Sequence, residues 1–380
     1  MRFTFMMITL IDFTQIPAKK VGVGVYALNT FKQVFRINTA DRYIAVIQND
    51  DPDFREFRAC ANVTVRQVSA RIFRNFFFRL LIEQIYIPFL ILKYRASVVH
   101  SLHYSFPLLK LGARRVITIH DLTFFIYPEL HTRVKRHYFR WFTRQAAHSR
   151  NTLICVSNST AADLKRIFPR HNAEVHVVPL AIGHGPQGDL PFEPLREKFR
   201  LHRPYILFVG TLEPRKNIVS LLEAYRRISE SRDELLVIVG KKGWFYESIF
   251  TRVKELELNE RVRFTGFVSE EEKFALIRHC RIFIYPSLYE GFGLPVLEAL
   301  SMGIPTITSN ISSMPEVAGD AALLIDPLSV NEIAGAMSLL LSDPGIQDRL
   351  KQNAWKQARL FSWERTATET VTIYKKNTDI

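Results

Sequence analysis

The chain has 380 residues, of which 47% are hydrophobic and 23% are charged. This length allows two domains with full cores, and this composition is ordinary for a soluble globular protein. The three cysteines, Cys60, Cys155 and Cys280, are odd in number and scattered without metal-ligand spacing. The pattern argues against a disulfide framework and a cysteine metal site, and it predicts a reducing compartment.

Positive charge is concentrated in the N-terminal half. Residues 1–190 contain 26 Lys and Arg against 12 Asp and Glu, whereas residues 191–380 contain 25 of each. A basic half of this kind indicates nucleic acid, an anionic membrane surface or a phosphorylated substrate as the partner. Because this half has no compact nucleic-acid recognition motif, we expect no nucleic-acid partner.

Apolar runs alternate with helical patterns along the first half. The opening stretch, MRFTFMMITLIDFTQ, lacks a small-residue cleavage site, so we interpret it as a first buried strand and not as a signal peptide. Strands are predicted at residues 3–10, 43–47, 97–100, 115–120, 152–157 and 175–179, and helices at residues 24–36, 133–148 and 159–168.

Two motifs in this half resemble sites of other chemistry. Residues 19–31, KKVGVGVYALNTF, form a glycine loop that opens a helix, with Gly22 and Gly24 in the loop. Ala27 stands where a dinucleotide fingerprint would have its third glycine, so a nicotinamide site is disfavoured. Asp51-Pro52-Asp53 spells the Asp-x-Asp of metal-dependent transferases but lies in a polar turn. We interpret it as a chance match and expect no metal and no cofactor.

Residues 66–95 combine basic and bulky apolar side chains. The longest uncharged apolar run, residues 84–92, is too short to span a bilayer. This mixture favours a segment that lies in the membrane interface. The alternative is a helix with one face in the core and its arginines in solvent. The residues concerned are Arg66, Arg71, Arg74, Arg79, Lys93 and Arg95, with Phe73, Phe76, Phe77 and Phe78.

The second half repeats the alternation of strands and helices. Gly and Pro are dense at residues 183–204, which predicts a linker between a first domain (1–182) and a second (205–360), with a last helix at 361–380. Parallel sheets covered on both faces, and therefore two doubly wound α/β domains, are predicted. Their ligand cleft is expected where the carboxyl ends of the strands meet. The strands are predicted at residues 205–210, 235–240, 262–266, 281–287, 305–309 and 321–327.

Polar residues follow several of these strands. His120 and Asp121 end the strand at 115–120, where they either point into a cleft or satisfy local backbone groups. Arg215 and Lys216 lie in GTLEPRKNI, residues 210–218, just before a helix. Two cations at that place suit a diphosphate whose charge grows as its bond to a sugar breaks.

The stretch PSLYEGFGLPVLEALSM, residues 286–302, is the most informative motif. Gly291 and Gly293 form a turn after a buried strand, and Pro295 suits the first position of a helix. A glycine turn before a helix N-terminus favours phosphate. Glu290 before the turn and Glu298 on the helix suit hydrogen bonds to sugar hydroxyls on either side of a diphosphate. The motif therefore predicts a nucleotide-sugar site.

This stretch resembles the Glu-x7-Glu signature of the retaining glycosyltransferases of family 4, which have the two-domain GT-B fold. The resemblance implies that Glu290 contacts the donor sugar and Glu298 the ribose. It implies that Gly291 and the turn Phe292-Gly293-Leu294 offer backbone amides to the diphosphate. The resemblance covers residues 200–375 with strong motifs and residues 1–180 more loosely.

The same resemblance assigns the other candidates. Arg215 and Lys216 bind the donor diphosphate, although many members have Arg where this chain has Thr211, so it stays open whether Arg215 takes that role. His120 contacts the donor sugar, and Asp121 orients the loop or an acceptor hydroxyl. Apart from the resemblance, His100 and His103 are at the end of another strand, and we expect them to line the acceptor side. The remaining donor-binding candidates are Gly22, Gly24, Lys241, Phe267 and Val268, the last two beside the nucleotide base.

GTLEPRKN, VGKKGW and SLYEGFGLPVLEA together resemble bacterial mannosyltransferases that use GDP-mannose. The resemblance implies transfer of a sugar, with retention, to a glycan acceptor. The basic first half favours a polyprenyl-diphosphate-linked acceptor and an anionic membrane surface, with the protein at the cytoplasmic face in polysaccharide or O-antigen synthesis. A UDP-sugar donor, a sugar-nucleotide epimerase or hydrolase of the same fold, and a non-catalytic binding protein are the alternatives.

Overall fold

The computed structural model describes residues 6–16, 20, 22–73, 76–182 and 190–376, without the side chains of residues 72, 73, 76 and 77. The chain forms two compact units. Unit 1 comprises Met1–Ala181 and Ser362–Ile380, and unit 2 comprises Ile182–Phe361. Of the predicted linker, residues 183–189 lie outside the described residues, and part of the remainder is helical.

Unit 1 alternates strands and helices. Its strands are β1 (Ile8–Asp12), β2 (Arg42–Gln48), β3 (Val63–Val68), β4 (Val98–Ser101), β5 (Arg114–Ile119), β6 (Thr152–Cys155) and β7 (Glu174–Val177). Its helices up to residue 181 are α1 (Val23–Ile37), α2 (Pro52–Arg55), α3 (Ala70–Phe73), α4 (Phe76–Leu81), α5 (Ile87–Tyr94), α6 (Thr123–Ile126), α7 (Arg133–His148) and α8 (Asn158–Ile167). A π-helical turn, Ile82–Tyr86, joins α4 to α5.

The described strands of unit 1 form one parallel sheet in the order β3-β2-β1-β4-β5-β6-β7. The order of the chain reverses between β1 and β4, and ligands of such sheets bind at the carboxyl ends beside this switch point. Helix α5 packs on one face of the sheet, where Ile87, Leu90 and Ile91 join a core with Leu10 and Val99.

One strand of unit 1 was not predicted. β3 is an edge strand whose residues are mostly only half-buried, because VTVRQV alternates apolar and polar side chains. Residues 66–68, which were assigned to the interfacial segment, belong to this strand. Within that segment, the side chains of Phe73, Phe76 and Phe77 lie outside what the structure describes. Arg74 lies outside the described residues altogether.

Unit 2 is a second parallel sheet with helices on both faces. Its strands are β8 (Tyr205–Val209), β9 (Leu235–Val239), β10 (Val262–Gly266), β11 (Ile282–Tyr285), β12 (Thr306–Ser309) and β13 (Ala322–Ile325). Its helices are α9 (Phe192–Phe199), α10 (Ile218–Ser229), α11 (Glu247–Glu255), α12 (Glu270–His279), α13 (Leu294–Ser301), α14 (Met314–Ala318), α15 (Val330–Ser342) and α16 (Pro344–Ala358).

The strands described for unit 2 run in the order β10-β9-β8-β11-β12-β13, so the switch point lies between β8 and β11. The residues after these two strands therefore meet at the carboxyl edge of the sheet. The α/β prediction with parallel sheets is confirmed in both units. The last helix, α17 (Trp363–Lys375), returns to unit 1, where it packs against α1.

None of the described helices combines the length and the apolar character that crossing a membrane requires.

Candidate active site

Glu290 is the centre of a buried ionic cluster at the switch point of unit 2. Its carboxylate Oε1 lies 2.5 Å from Lys216 Nζ, and its Oε2 lies 3.0 Å from Arg215 Nη1. Arg215 and Lys216 follow β8, and Glu290 follows β11, so the two strands beside the switch point supply all three charges. The fold thus brings Glu290 into contact with two residues that lie 74 and 75 positions before it in the chain.

Hydroxyl groups complete the hydrogen bonding of Glu290. Ser287 Oγ donates to Glu290 Oε1 over 2.7 Å, and Tyr285 Oη donates to the same oxygen over 3.1 Å. Ser312 Oγ donates to the Glu290 carbonyl at 2.6 Å and accepts from the Glu290 N–H at 3.1 Å, which fixes the turn. The side chain is therefore held in one orientation before any ligand arrives.

The charges of the cluster balance. Burial alone raises the pKa of Glu290, but the charges of Arg215 and Lys216 outweigh burial and lower that pKa to about 2. Burial and Arg215 lower the pKa of Lys216, and its contact with Glu290 opposes that shift. Glu213 is also buried and accepts from Arg215 at 2.7 Å. Two cations and two carboxylates make a neutral and preorganised site.

Glu298 has a different partner. It lies on α13, where Lys273 Nζ of α12 is 2.7 Å from its Oε1. Lys273 also contacts Glu270 at 2.8 Å, so two carboxylates share one cation. Burial raises the pKa of Glu298, and Lys273 opposes that shift only in part.

The turn between the two glutamates begins α13 as predicted, one residue earlier than Pro295. Gly293 has a φ of 115°, and a Cβ there would lie 2.3 Å from Met314 Cε. This φ favours glycine because L side chains rarely adopt it, whereas the contact itself involves only the flexible end of the Met314 side chain. Phe292 is buried against Phe361, and its carbonyl accepts from Ser313 Oγ at 2.6 Å. Leu294 is the first residue of the helix.

The turns after β8 and β9 touch each other. The Leu212 N–H donates to the Lys241 carbonyl at 2.9 Å, and the Gly243 N–H donates to the Leu212 carbonyl at 3.0 Å. Thr211 is half-buried and Lys241 is exposed beside it. After β10, Phe267 is exposed and Val268 is buried. These four predicted donor-binding residues all follow strands at the carboxyl edge of the unit 2 sheet.

His120 and Asp121 follow β5 in unit 1. His120 is buried, its Nε2 lies 3.0 Å from the Leu102 carbonyl, and burial lowers its pKa to about 4. Asp121 accepts hydrogen bonds from Tyr104 and Thr123 at 2.7 Å each. Gly22 and Gly24 lie at the start of α1, and Gly22 has a φ of 45°.

The prediction that His100 lines the acceptor side is wrong. Its side chain is fully buried, with Nδ1 2.5 Å from Tyr374 Oη and Nε2 2.8 Å from Thr118 Oγ1. Burial lowers the pKa of His100 strongly, so it is a neutral core residue. His103 is only partly buried and packs against Tyr104 and Phe139.

Asp51 has a local structural role. It accepts from the Phe54 N–H as the cap of α2 and forms an ion pair with Lys20. Within the residues that the structure describes, no group of three His, Cys, Asp or Glu side chains is placed to hold a metal ion.

Sequence reasoning missed two sets of polar residues. Tyr285 and Ser287 were taken only as a strand end, although Ser287 lies three residues before Glu290. In unit 1, Glu83 accepts from Gln15 Nε2 at 3.0 Å and Ser105 Oγ at 2.8 Å, beside the switch point of the sheet. Burial and the charge of Asp12 raise the pKa of Glu83 to about 8. A lone carboxylate within the apolar stretch LLIEQIYI was the available signal.

Comparison with known proteins identifies the family. The model described as glycosyltransferase family 4 matches residues 22–184, and the model described as glycosyl transferases group 1 matches residues 192–357. The chain is 34% identical over 267 residues to O-antigen chain mannosyltransferase B of Escherichia coli, covering 69% of this chain and 70% of that protein. The chain belongs to the family 4 glycosyltransferases.

One further relative agrees with this assignment, and one solved structure agrees with the fold. The glycosyltransferase is 36% identical over 177 residues to the E. coli serotype-specific mannosyltransferase WbdA, a match that spans 46% of this chain but only 22% of that protein. The structure of sucrose-phosphate synthase from Thermosynechococcus elongatus superposes with a TM-score of 0.76 at 19% identity, covering 97% of this chain and 98% of that one. The predicted GT-B fold, glycosyltransferase activity and relation to bacterial mannosyltransferases are confirmed.

Proposed function

We propose that this glycosyltransferase moves mannose, with retention of configuration, from GDP-mannose to a lipid-linked glycan acceptor. Two of its relatives, O-antigen chain mannosyltransferase B and the mannosyltransferase WbdA, support the sugar and the kind of product. The observation that carries the proposal is the cluster of Arg215, Lys216 and Glu290 at the switch point of unit 2.

The two cations of this cluster act on the leaving group. As the bond from the anomeric carbon to the diphosphate oxygen breaks, negative charge grows on the diphosphate, and Arg215 and Lys216 stabilise it. Glu290 orients both cations and hydrogen-bonds the donor sugar. The acceptor hydroxyl adds to the same face of the sugar, and its proton passes to the leaving phosphate oxygen.

The other predicted residues hold the donor. Glu298 binds the ribose, the turn 291–294 and Thr211 bind the diphosphate, and the backbone at Phe267 and Val268 contacts the base. We expect Lys241, Gly22 and Gly24 to bind the phosphates, His120 to bind the donor sugar, and Asp121 to orient its loop or an acceptor hydroxyl. Because Arg215 and Lys216 supply the positive charge, the transfer requires no metal. Added EDTA should leave the rate unchanged, and a loss that Mg²⁺ restores would contradict this.

The acceptor is a glycan on a polyprenyl diphosphate. The excess of positive charge in residues 1–190 supports binding at an anionic membrane surface. The protein would then work in the cytoplasm, bound peripherally to the inner face of the cytoplasmic membrane.

Thermal unfolding with nucleotides tests the donor assignment. GDP, UDP and ADP are added at about 1 mM each to the wild type and to Glu298→Ala. A ligand present at about one hundred times its dissociation constant stabilises the fold by roughly 2.7 kcal/mol, which raises the melting temperature measurably. We expect GDP alone to raise it, and Glu298→Ala to abolish the rise.

The other outcomes contradict parts of the proposal. A rise with UDP alone would replace GDP-mannose by a UDP-sugar. An equal rise in Glu298→Ala would remove the ribose role of Glu298. The absence of a rise with any nucleotide would overturn the donor site itself.

A further inference from the structure

The helical segment formed by α4, the π-turn and α5, residues 76–94, is apolar on two opposite sides. One side packs into the core of unit 1 through Ile87, Leu90 and Ile91. The other side carries five large apolar side chains spaced three or four residues apart, which places them in one line along the helix. This apolar stripe consists of Phe78, Leu81, Ile85, Phe89 and Leu92, whose exposed fractions lie between 47% and 62%. A large apolar stripe that the described residues leave exposed to this extent indicates a binding surface.

A neighbouring turn extends the apolar stripe. Leu108, Leu109 and Leu111, here called the leucine turn, are 42%, 58% and 40% exposed. Gln84 of the π-turn fixes the leucine turn beside the helix. Its Nε2 donates to the Phe106 carbonyl and its Oε1 accepts from the Leu108 N–H, each at 3.0 Å. Leu111 has a φ of 47°, a conformation that branched side chains rarely adopt and that often marks a functional surface.

The surroundings of this surface are strongly basic. Residues 76–113 and 133–150 contain ten Lys and Arg but only one carboxylate, Glu83, which is buried and hydrogen-bonded inside unit 1. Helix α7 lies beside α4, because the Arg79 guanidinium is 5.5 Å from the centre of the Tyr138 ring. Helix α7 exposes Trp141 and Arg144. Large apolar side chains within a basic rim are typical of a surface that enters a lipid interface.

We propose that the apolar stripe and the leucine turn insert into the headgroup region of an anionic lipid bilayer, while the surrounding Lys and Arg bind lipid phosphates. The charge pattern favours this occupant over a second copy of the chain, since a dimer through this face would bring two basic rims together. The inference rests on the proposed function, because a lipid-linked acceptor is held in such a bilayer.

The position of the apolar stripe suits delivery of this acceptor. From the same helical segment Glu83 reaches Gln15 and Ser105, which follow β1 and β4 at the carboxyl edge of the unit 1 sheet. His120 and Asp121 follow β5 at that edge. A bilayer bound along the stripe therefore lies next to the edge of unit 1 at which the acceptor is expected.

Flotation with vesicles tests the apolar contribution. Vesicles of phosphatidylcholine mixed with phosphatidylglycerol are compared with vesicles of phosphatidylcholine alone. The double variant Ile85→Ser, Phe89→Ser should bind the anionic vesicles roughly a hundredfold more weakly than the wild type, at about tenfold for each side chain. The matched control, Leu328→Ser with Leu339→Ser, changes two exposed leucines of unit 2 and should bind like the wild type. Equal binding by both double variants would overturn the proposal.

Charge variants and salt test the electrostatic contribution. Lys110→Gln and Arg144→Gln should each weaken binding about fivefold, whereas Lys254→Gln and Arg349→Gln in unit 2 should not. Raising the salt from about 0.15 M to about 1 M should weaken binding of the wild type without abolishing it, because the apolar contribution is not screened. Complete release by salt would contradict insertion, and unchanged binding would contradict the role of the cations.

Two further readouts separate this inference from the proposed function. The stripe variant should keep the GDP-induced rise in melting temperature and its transfer rate to a short soluble acceptor. If the GDP-induced rise and the transfer rate are observed but the wild type does not bind vesicles, only the membrane-docking inference is wrong. If vesicles bind but GDP has no effect, only the donor assignment falls. Sedimentation showing a dimer that Ile85→Ser, Phe89→Ser dissociates, without vesicle binding, would assign the face to a second copy.

Discussion

Glu290 and Glu298 lie eight residues apart on the same strand, turn and helix, and both are 9% exposed, but their pKa values move in opposite directions. Glu290 meets two cations and two hydroxyls, which outweigh the cost of burial. Glu298 meets one cation that it shares with Glu270, and burial prevails. The number of partners, and not the depth of burial, decides the charge state of a carboxylate at this site.

The difference bears on function. Glu290 is a permanent anion that holds the two diphosphate-binding cations in place. Glu298 has an ion pair that a ligand hydroxyl can supplement, which suits a group that recognises ribose. The four predictions below test this contrast.

Removal of Glu290 should have the largest effect. Glu290→Ala leaves Arg215 and Lys216 buried with one carboxylate fewer, which costs about 3–5 kcal/mol of unfolding free energy, and turnover should be lost. Glu290→Gln keeps the shape and should lose turnover as well. Urea unfolding and transfer assays measure the two effects. Glu260→Gln, a change at an exposed carboxylate of unit 2, is the control, and wild-type turnover in Glu290→Gln would refute the role of Glu290.

Removal of one cation should affect the chemical step. Lys216→Met should lower kcat by a factor of about 10² to 10³, because the cation that stabilises the negative charge of the leaving diphosphate is lost. Arg215→Gln should lower kcat by a factor in the same range. Lys242→Met, at an exposed lysine two residues after Gly240, is the matched control. If Lys216→Met raised KM and left kcat unchanged, Lys216 would bind the donor without stabilising the transition state.

Acid should separate the two glutamates. The pKa of Glu290 falls from 4.5 to about 2 on folding, so its stabilisation is complete above pH 4.5 and is lost as the pH falls toward 2. The pKa of Glu298 is raised on folding, so its ionised form destabilises the fold near neutral pH and protonation removes that cost. Between pH 4.5 and 2 the melting temperature should therefore depend less on pH in Glu290→Gln than in the wild type. As the pH falls from 7 to 4, the melting temperature of the wild type should therefore rise relative to that of Glu298→Gln, and the opposite trend would contradict the assigned shift.

The smallest effect is expected at Lys273. Lys273→Gln removes the one cation of Glu298 and should weaken GDP binding about tenfold, the value of a charged hydrogen bond. The pH dependence of GDP binding should shift upward, since the pKa of Glu298 then rises further. Calorimetric titration measures both. Lys254→Gln is the control, and unchanged affinity in Lys273→Gln would remove Lys273 from the site.

Much of the fold could be predicted because buried parallel strands are short apolar runs, as in YILFV and LLVIV. β3 was not predicted, because an edge strand is half-exposed and because its alternating pattern could not be separated from the basic segment that follows. The exposed stripe at residues 78–92 lies within residues 66–95, the segment for which an interfacial position was predicted. Only the structure shows which apolar side chains of that segment face outward.

The candidate site could be predicted where sequence order follows geometry. Strand, turn and helix occur consecutively at Glu290 and Glu298, and Arg215 and Lys216 lie in the short segment between β8 and α10. The pairing of Lys273 with Glu298 depends on the packing of α12 against α13, which no local pattern reveals. His100 was misassigned because its partner, Tyr374, is 274 residues away.

Helix α17 also has a consequence for biosynthesis. It belongs to unit 1 but follows all of unit 2 in the chain, and it contributes the fully buried Tyr374. Arg114 donates to the Ile373 and Tyr374 carbonyls at 2.6 Å each, so β5 and α17 are directly joined. On the ribosome, unit 1 must wait with an incomplete core while the 180 residues Ile182–Phe361 are translated. A premature stop in unit 2 would therefore damage both units, and the released fragment would be a substrate for quality-control proteases.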